Sequence, residues 1–138
     1  MRQIKFRAWD KYNKYMVTVE NYNPDEYFFQ FDNFGTIEVY GANIPSSYPD
    51  EGIGYDKLED IILMQCTGLK DKNGKEIYEG DVLFDEDGEY SKTCIIDWSD
   101  EQAKFFGKSV FDYEVYDMDE IDGEVIGNIY ANPELTKN

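Results

Sequence analysis

The chain has 138 residues, 41% of them hydrophobic and 17% aromatic, which is enough apolar material for one ordinary domain and excludes wholesale disorder. Thirty acidic residues stand against thirteen basic ones, and the formal charge of -17 repels a phosphate backbone, so direct nucleic-acid binding is not expected. There is no histidine, which removes the commonest general base and the commonest metal ligand.

In chain order, Ile4 to Trp9 alternates apolar and polar residues and predicts a half-buried strand with Ile4, Phe6 and Ala8 inward and Trp9 outward. Lys5, Arg7 and Trp9 then share one face. Asp10 to Lys14 is a polar turn, and Tyr15 to Val19 reads as the returning strand of a hairpin. Residues 1–14 carry five basic side chains against Asp10 alone, a basic patch on an acidic molecule. Between 20 and 60, prolines, asparagines and glycines punctuate two short strands, Tyr27 to Phe31 and Ile37 to Tyr40. A long loop follows from Gly41 to Gly54, and Asp56 to Asp60 reads as a single helical turn.

From Ile61 the pattern is regular. Ile61 to Cys66 reads as a buried strand, Asp71 to Gly74 as a tight turn, and Gly80 as a close backbone approach before the strand Val82 to Phe84. A turn at Asp85 to Gly88 precedes the strand Thr93 to Trp98. Ala103 to Gly107, Val110 to Val115 and Gly123 to Tyr130 complete the set, with a bulge at Gly127 and a terminal helical turn in which Asn132 caps and Pro133 is the first helical residue. The fold class expected is mainly β with at most short helical turns. It comprises a hairpin and loop-rich region over 1–60 and a small SH3-like, barrel-type region over 61–138, together in one compact unit.

Three stretches also carry a resemblance: Arg2 to Asp10, Met64 to Asp81 and Val125 to Leu135. In this order they are similar to the YopX-like family of phage and prophage proteins. The resemblance implies a bacterial phage or prophage origin, a β-rich fold and self-association, and it supplies no reaction and no catalytic residues.

The residues themselves argue against chemistry. Cys66 and Cys94 lie far apart in apolar runs, with no CxxC spacing and no histidine, and read as buried reduced thiols, although the sequence leaves a disulfide open. No phosphate-binding glycine loop has a strand-to-helix context. The acidic runs Asp85 to Glu89 and Asp117 to Glu124 break the order of a calcium-binding loop and read as solvated loops. No catalytic residue, cofactor or metal is therefore expected, and the protein is expected not to be an enzyme.

Binding remains. The interface residues selected are Lys5, Arg7 and Trp9 on the first hairpin and Lys70, Lys72 and Lys75 around the Asp71 turn, where basic side chains meet the acidic surface of another copy or of a host or phage protein. Trp9, Trp98, Tyr12, Tyr15, Tyr48, Tyr78 and Tyr130 are the candidate aromatic anchors, more than half of them expected in the core. The alternative is an acidic mimic of nucleic acid that occupies a host DNA-binding protein. No run is long and apolar enough to span a membrane, and Met1 to Arg7 lacks the apolar core of a signal peptide, so the cytoplasm of a bacterial host cell is the expected location.

Overall fold

The computed structural model describes residues 4–18, 27–43, 54–87 and 90–137. Among them are twelve β-strands and two 3-10 turns. The chain divides into two compact units, Phe6–Leu63 and a second that joins Met1–Lys5 to Met64–Asn138.

In the Phe6–Leu63 unit, β1 (Phe6–Asp10) and β2 (Tyr15–Val17) form an antiparallel hairpin with Ala8 opposite Val17. Its turn is built by Asp10, whose Oδ1 accepts the N–H groups of Tyr12 and Asn13 at 3.0 and 3.1 Å. β3 (Tyr27–Phe31), β4 (Ile37–Asn43) and β5 (Gly54–Lys57) make a three-stranded antiparallel sheet. Asp32 organises the β3–β4 turn in a related way: its Oδ1 accepts the N–H groups of Phe34 and Thr36, with Gly35 at φ +81. Ala8, Val17 and Val39 are fully buried.

Two expectations fail here. Ile4 is 66% exposed, whereas Trp9 is 8% exposed. β1 is buried at every position from Arg7 to Asp10, so alternation does not choose an outer face, and Ile4 precedes the strand altogether. The helical turn at Asp56 to Asp60 is also absent, because Lys57 still pairs with Tyr40 in β5 and the Leu58 N–H donates to the Val39 carbonyl. A strand partner satisfies backbone groups that five residues of helix would leave open. Of the long loop from Gly41 to Gly54, β4 takes the start and β5 the end, and 44–53 lie outside the described residues.

The other unit is built on β6 (Ile61–Lys70), whose residues from Met64 onward belong to it, and β7 (Glu76–Tyr78). A five-stranded sheet follows in the order β11–β10–β9–β8–β12 and curls into a half-barrel, from β8 (Asp81–Asp87), β9 (Tyr90–Ser99), β10 (Lys104–Ser109), β11 (Val115–Asp117) and β12 (Glu124–Asn128). Its core is Ile77, Leu83 and Ile96, with Met118, Ile121 and Val125 packed against them. Gly80, at φ +83 between β7 and β8, accepts from Ile129 N–H and donates to the Ile96 carbonyl. A Cβ there would meet Met64 Sδ and Tyr130 Cε2, each at 3.2 Å, which is the close approach the sequence predicts.

The expected turn at Asp85 to Gly88 comes later. β8 runs to Asp87, which pairs with Tyr90 of β9, and 88–89 lie outside the described residues. The strand expected at Val110 to Val115 is a bend until Val115, because Asp112 Oδ1 accepts the Glu114 N–H in a local turn and Phe111 and Tyr113 have no core to enter. Alternation with both sets of side chains in water does not hold a strand. At the end of the chain the register shifts between Val125 and Gly127, the expected bulge. Pro133 opens the 3-10 turn Pro133–Thr136, but the Asn132 side chain does not cap it. Its Oδ1 accepts the Asn128 N–H at 3.2 Å instead.

Candidate protein-interaction site

Within the unit that contains Met64–Asn138, side chains from five places meet around a groove of about 570 Å³ lined by Ile4, Gln65, Thr67, Leu69, Trp98, Ala103, Lys104, Phe105 and Met118. Gln65 and Thr67 line it from β6, and Leu69 from beyond the irregularity of that strand at Gly68. Ile4 is held beside them because the Lys5 carbonyl accepts the Cys66 N–H at 2.9 Å. Trp98 on β9 lies directly opposite Phe105 on β10, their rings edge to face with centroids 4.9 Å apart. Trp98 Nε1 donates to Asp100 Oδ1, which fixes the indole with its polar edge satisfied. Thr67 donates its hydroxyl to the Ile77 carbonyl and accepts the Leu69 N–H, which holds the strand where Gly68 takes φ +83. Leu69 is 48% and Trp98 38% exposed, so the groove presents apolar surface to water.

The turn after Leu69 is made rigid by one carboxylate. Asp71 Oδ1 accepts the N–H groups of Asn73 and Lys75 at 2.9 and 2.8 Å, Oδ2 accepts the Val125 N–H at 2.8 Å, and Gly74 sits at φ +85. The Lys72 N–H donates to the Gly123 carbonyl, and Asn73 Nδ2 to Glu124 Oε2. Burial by itself would raise the Asp71 carboxyl, but the three N–H donors and the Lys75 charge outweigh it and hold it below the ordinary aspartate value. Lys70, Lys72 and Lys75 are all exposed on this turn, and among the described residues none has a carboxylate within ion-pairing distance.

The sequence-selected residues therefore separate. Lys70, Lys72 and Lys75 lie exposed on the turn that follows Leu69 of the groove. Lys5 is ion-paired to Glu76 at 2.7 Å. Arg7 and Trp9 belong to the Phe6–Leu63 unit, where both are buried in this chain. Of the aromatic candidates, Trp98, Tyr12 and Tyr15 are exposed, Trp9 and Tyr78 buried and Tyr130 half-buried, while Tyr48 lies outside the described residues. Ile4 was missed as a surface group because it sits in a run that reads as a half-buried strand, and Leu69 because it falls between the strand read at Ile61 to Cys66 and the turn at Asp71 to Gly74. The signal that would have found Leu69 is Gly68, whose positive φ breaks the alternation of β6.

A second, more polar groove of about 380 Å³ is lined by Ser99, Gln102, Lys104, Phe106, Val115, Tyr116, Asp117 and Glu120. Asp117, Asp119 and Glu120 cluster at its rim, all exposed. Lys104 Nζ is paired with Asp117, and Lys92 Nζ lies 4.6 Å over the Tyr116 ring and donates to the Glu120 carbonyl. Part of the acidic segment is thus neutralised by its own neighbours. The thiols of Cys66 and Cys94 are free and buried, and burial pushes the Cys94 thiol up to about 11.

Comparison with known proteins gives a consistent result. Solved structures that match over nearly the whole chain include protein EF1440 from Enterococcus faecalis, with 29% identity, a TM-score of 0.62, and 99% of this chain and 100% of that one covered. Protein yopX from Bacillus subtilis matches with 22% identity and a TM-score of 0.64 over 98% of each chain, a likeness of fold. No curated protein matches the sequence. The family described as YopX protein matches residues 5–137, which takes in β1, the Asp71 turn and the Asn128–Leu135 close alike, and the chain belongs to the YopX family.

Proposed function

We propose that this is a phage- or prophage-encoded protein that acts by protein binding, self-association first, and not by catalysis. The observation that carries this is the groove of Ile4, Leu69, Trp98, Phe105 and Met118, open to water and continued along the chain from Leu69 into the Lys70–Lys75 turn. An apolar centre with aromatic anchors and a charged margin is the composition of an interface. With thirty acidic residues, a second copy supplies carboxylates for Lys70, Lys72 and Lys75 in abundance. The apolar groove provides affinity, and the lysines provide orientation and salt dependence.

Light scattering at low and high salt is the test. An oligomer that weakens as salt rises is expected, since exposed charge pairs are screened beyond about 10 Å at 0.1 M ionic strength. A strict monomer under both conditions overturns self-association.

A further inference from the structure

Asn73 is the one asparagine of the chain that glycine follows. Both residues are exposed at the tip of the β6–β7 turn, and nothing lies within 4 Å of the place a Gly74 side chain would take. The absence of that side chain lets the Gly74 nitrogen approach the Asn73 carboxamide, the approach that closes a five-membered ring. Besides the hold of Asp71 Oδ1 on the Asn73 and Lys75 N–H groups, two contacts on the reacting groups themselves oppose it: Gly74 N–H donates to the Asp71 carbonyl at 3.0 Å, and Asn73 Nδ2 donates to Glu124 Oε2 at 3.2 Å. The second is a long bond at an exposed site and holds the carboxamide weakly.

We propose that Asn73 is a site of spontaneous deamidation whose product loosens the tie between this turn and β12. The Gly74 nitrogen attacks Asn73 Cγ and gives up its proton to solvent. The bond from Cγ to the side-chain nitrogen breaks, and ammonia leaves a succinimide. Water then opens the ring at either carbonyl to give aspartate or isoaspartate at position 73. Overall one water is consumed and one ammonia released, with no oxidant or reductant. The new carboxylate stands where an N–H donor faced Glu124, so a hydrogen bond becomes a like-charge contact. It also adds a negative charge beside Lys70, Lys72 and Lys75. This chemistry stands independently of the proposed self-association.

The full chain is held in mildly alkaline buffer and sampled by peptide mass spectrometry and by amide hydrogen exchange. Position 73 is expected to convert fully, with a gain of one mass unit and an isoaspartyl fraction, before any other asparagine changes mass. The Val125 amide should exchange faster in the aged protein and in Asn73→Asp, and keep its protection in Asn73→Gln, which retains an amide donor. An unchanged mass at position 73 after a synthetic peptide of the same turn has converted overturns the proposal. So does conversion that leaves Val125 protection as it was.

Discussion

The carboxylate of Asp71 accepts the backbone N–H of Val125 at 2.8 Å, joining the tip of one hairpin to a strand 54 residues further along the chain. The same carboxylate closes its own turn through Asn73 and Lys75, so a single side chain sets both the turn and its place against β12. Replacing it with alanine is expected to cost about 1–3 kcal/mol, the range for hydrogen bonds to a charged acceptor. Urea midpoints of wild type and Asp71→Ala measure it.

The same group gives stability a pH dependence. Its pKa in the folded chain lies below the ordinary aspartate value, so the unfolded chain takes up the proton first as pH falls. The stabilisation is present above about pH 4, near the ordinary aspartate value, and is lost as pH falls through the lowered folded value. Thermal melts across acidic pH should show a steeper loss for wild type than for Asp71→Asn, which has no such charge to lose.

Gly74 and Gly80 share nearly the same φ, +85 and +83, but not the same surroundings. Alanine at either position pays for the left-handed backbone, about 1–2 kcal/mol. At Gly74 there is open space, while at Gly80 the new methyl would press on Met64 and Tyr130. Gly80→Ala is therefore expected to destabilise by about 1–3 kcal/mol more than Gly74→Ala, as overpacking does. Equal losses in chemical denaturation would show that the neighbours move aside.

Cys94 is fully buried, and its thiol is raised to about 11, so almost no thiolate exists at neutral pH. Native protein treated with iodoacetamide is expected to keep Cys94 unmodified, with rapid labelling after denaturation. Mass spectrometry of the intact chain reads the difference.

Trp98→Ala tests the groove without emptying the core, because the indole is 38% exposed and sits at the rim of the sheet. If the groove is the contact, association should weaken by about 2 kcal/mol or more, the threshold for an interface anchor. Unfolding midpoints should move less. Lys70, Lys72 and Lys75 changed together to glutamate should also abolish the salt dependence of association.

Local turn chemistry was the most legible part of the sequence. Asp10, Asp32 and Asp71 each begin a turn by accepting N–H groups further along, and the Asp71–Asn73–Gly74 signal is visible in residue types alone. Strand position was legible where one face is buried, as at Thr93 to Trp98 with Cys94 and Ile96 inward, and failed where it is not, as at Val110 to Tyr113. The grouping of Leu69, Trp98 and Phe105 was not legible, because it depends on the register of β9 with β10, which has no local signature, while Gly68 marks only the irregularity of β6. Burial of Arg7 and Trp9 was hidden for a related reason: alternation identifies two faces but does not say that both are covered.

β12 is an outer strand of the half-barrel, and such a strand ordinarily offers a row of open N–H and C=O groups to any other chain. Here Val125 N–H is taken by Asp71, Asn128 N–H by Asn132 and the Gly123 carbonyl by Lys72. β11, the opposite border, is only three residues long. Strand-by-strand growth into fibrils has little to start from on this sheet, and a partner meeting these borders would find side chains in place of open backbone groups.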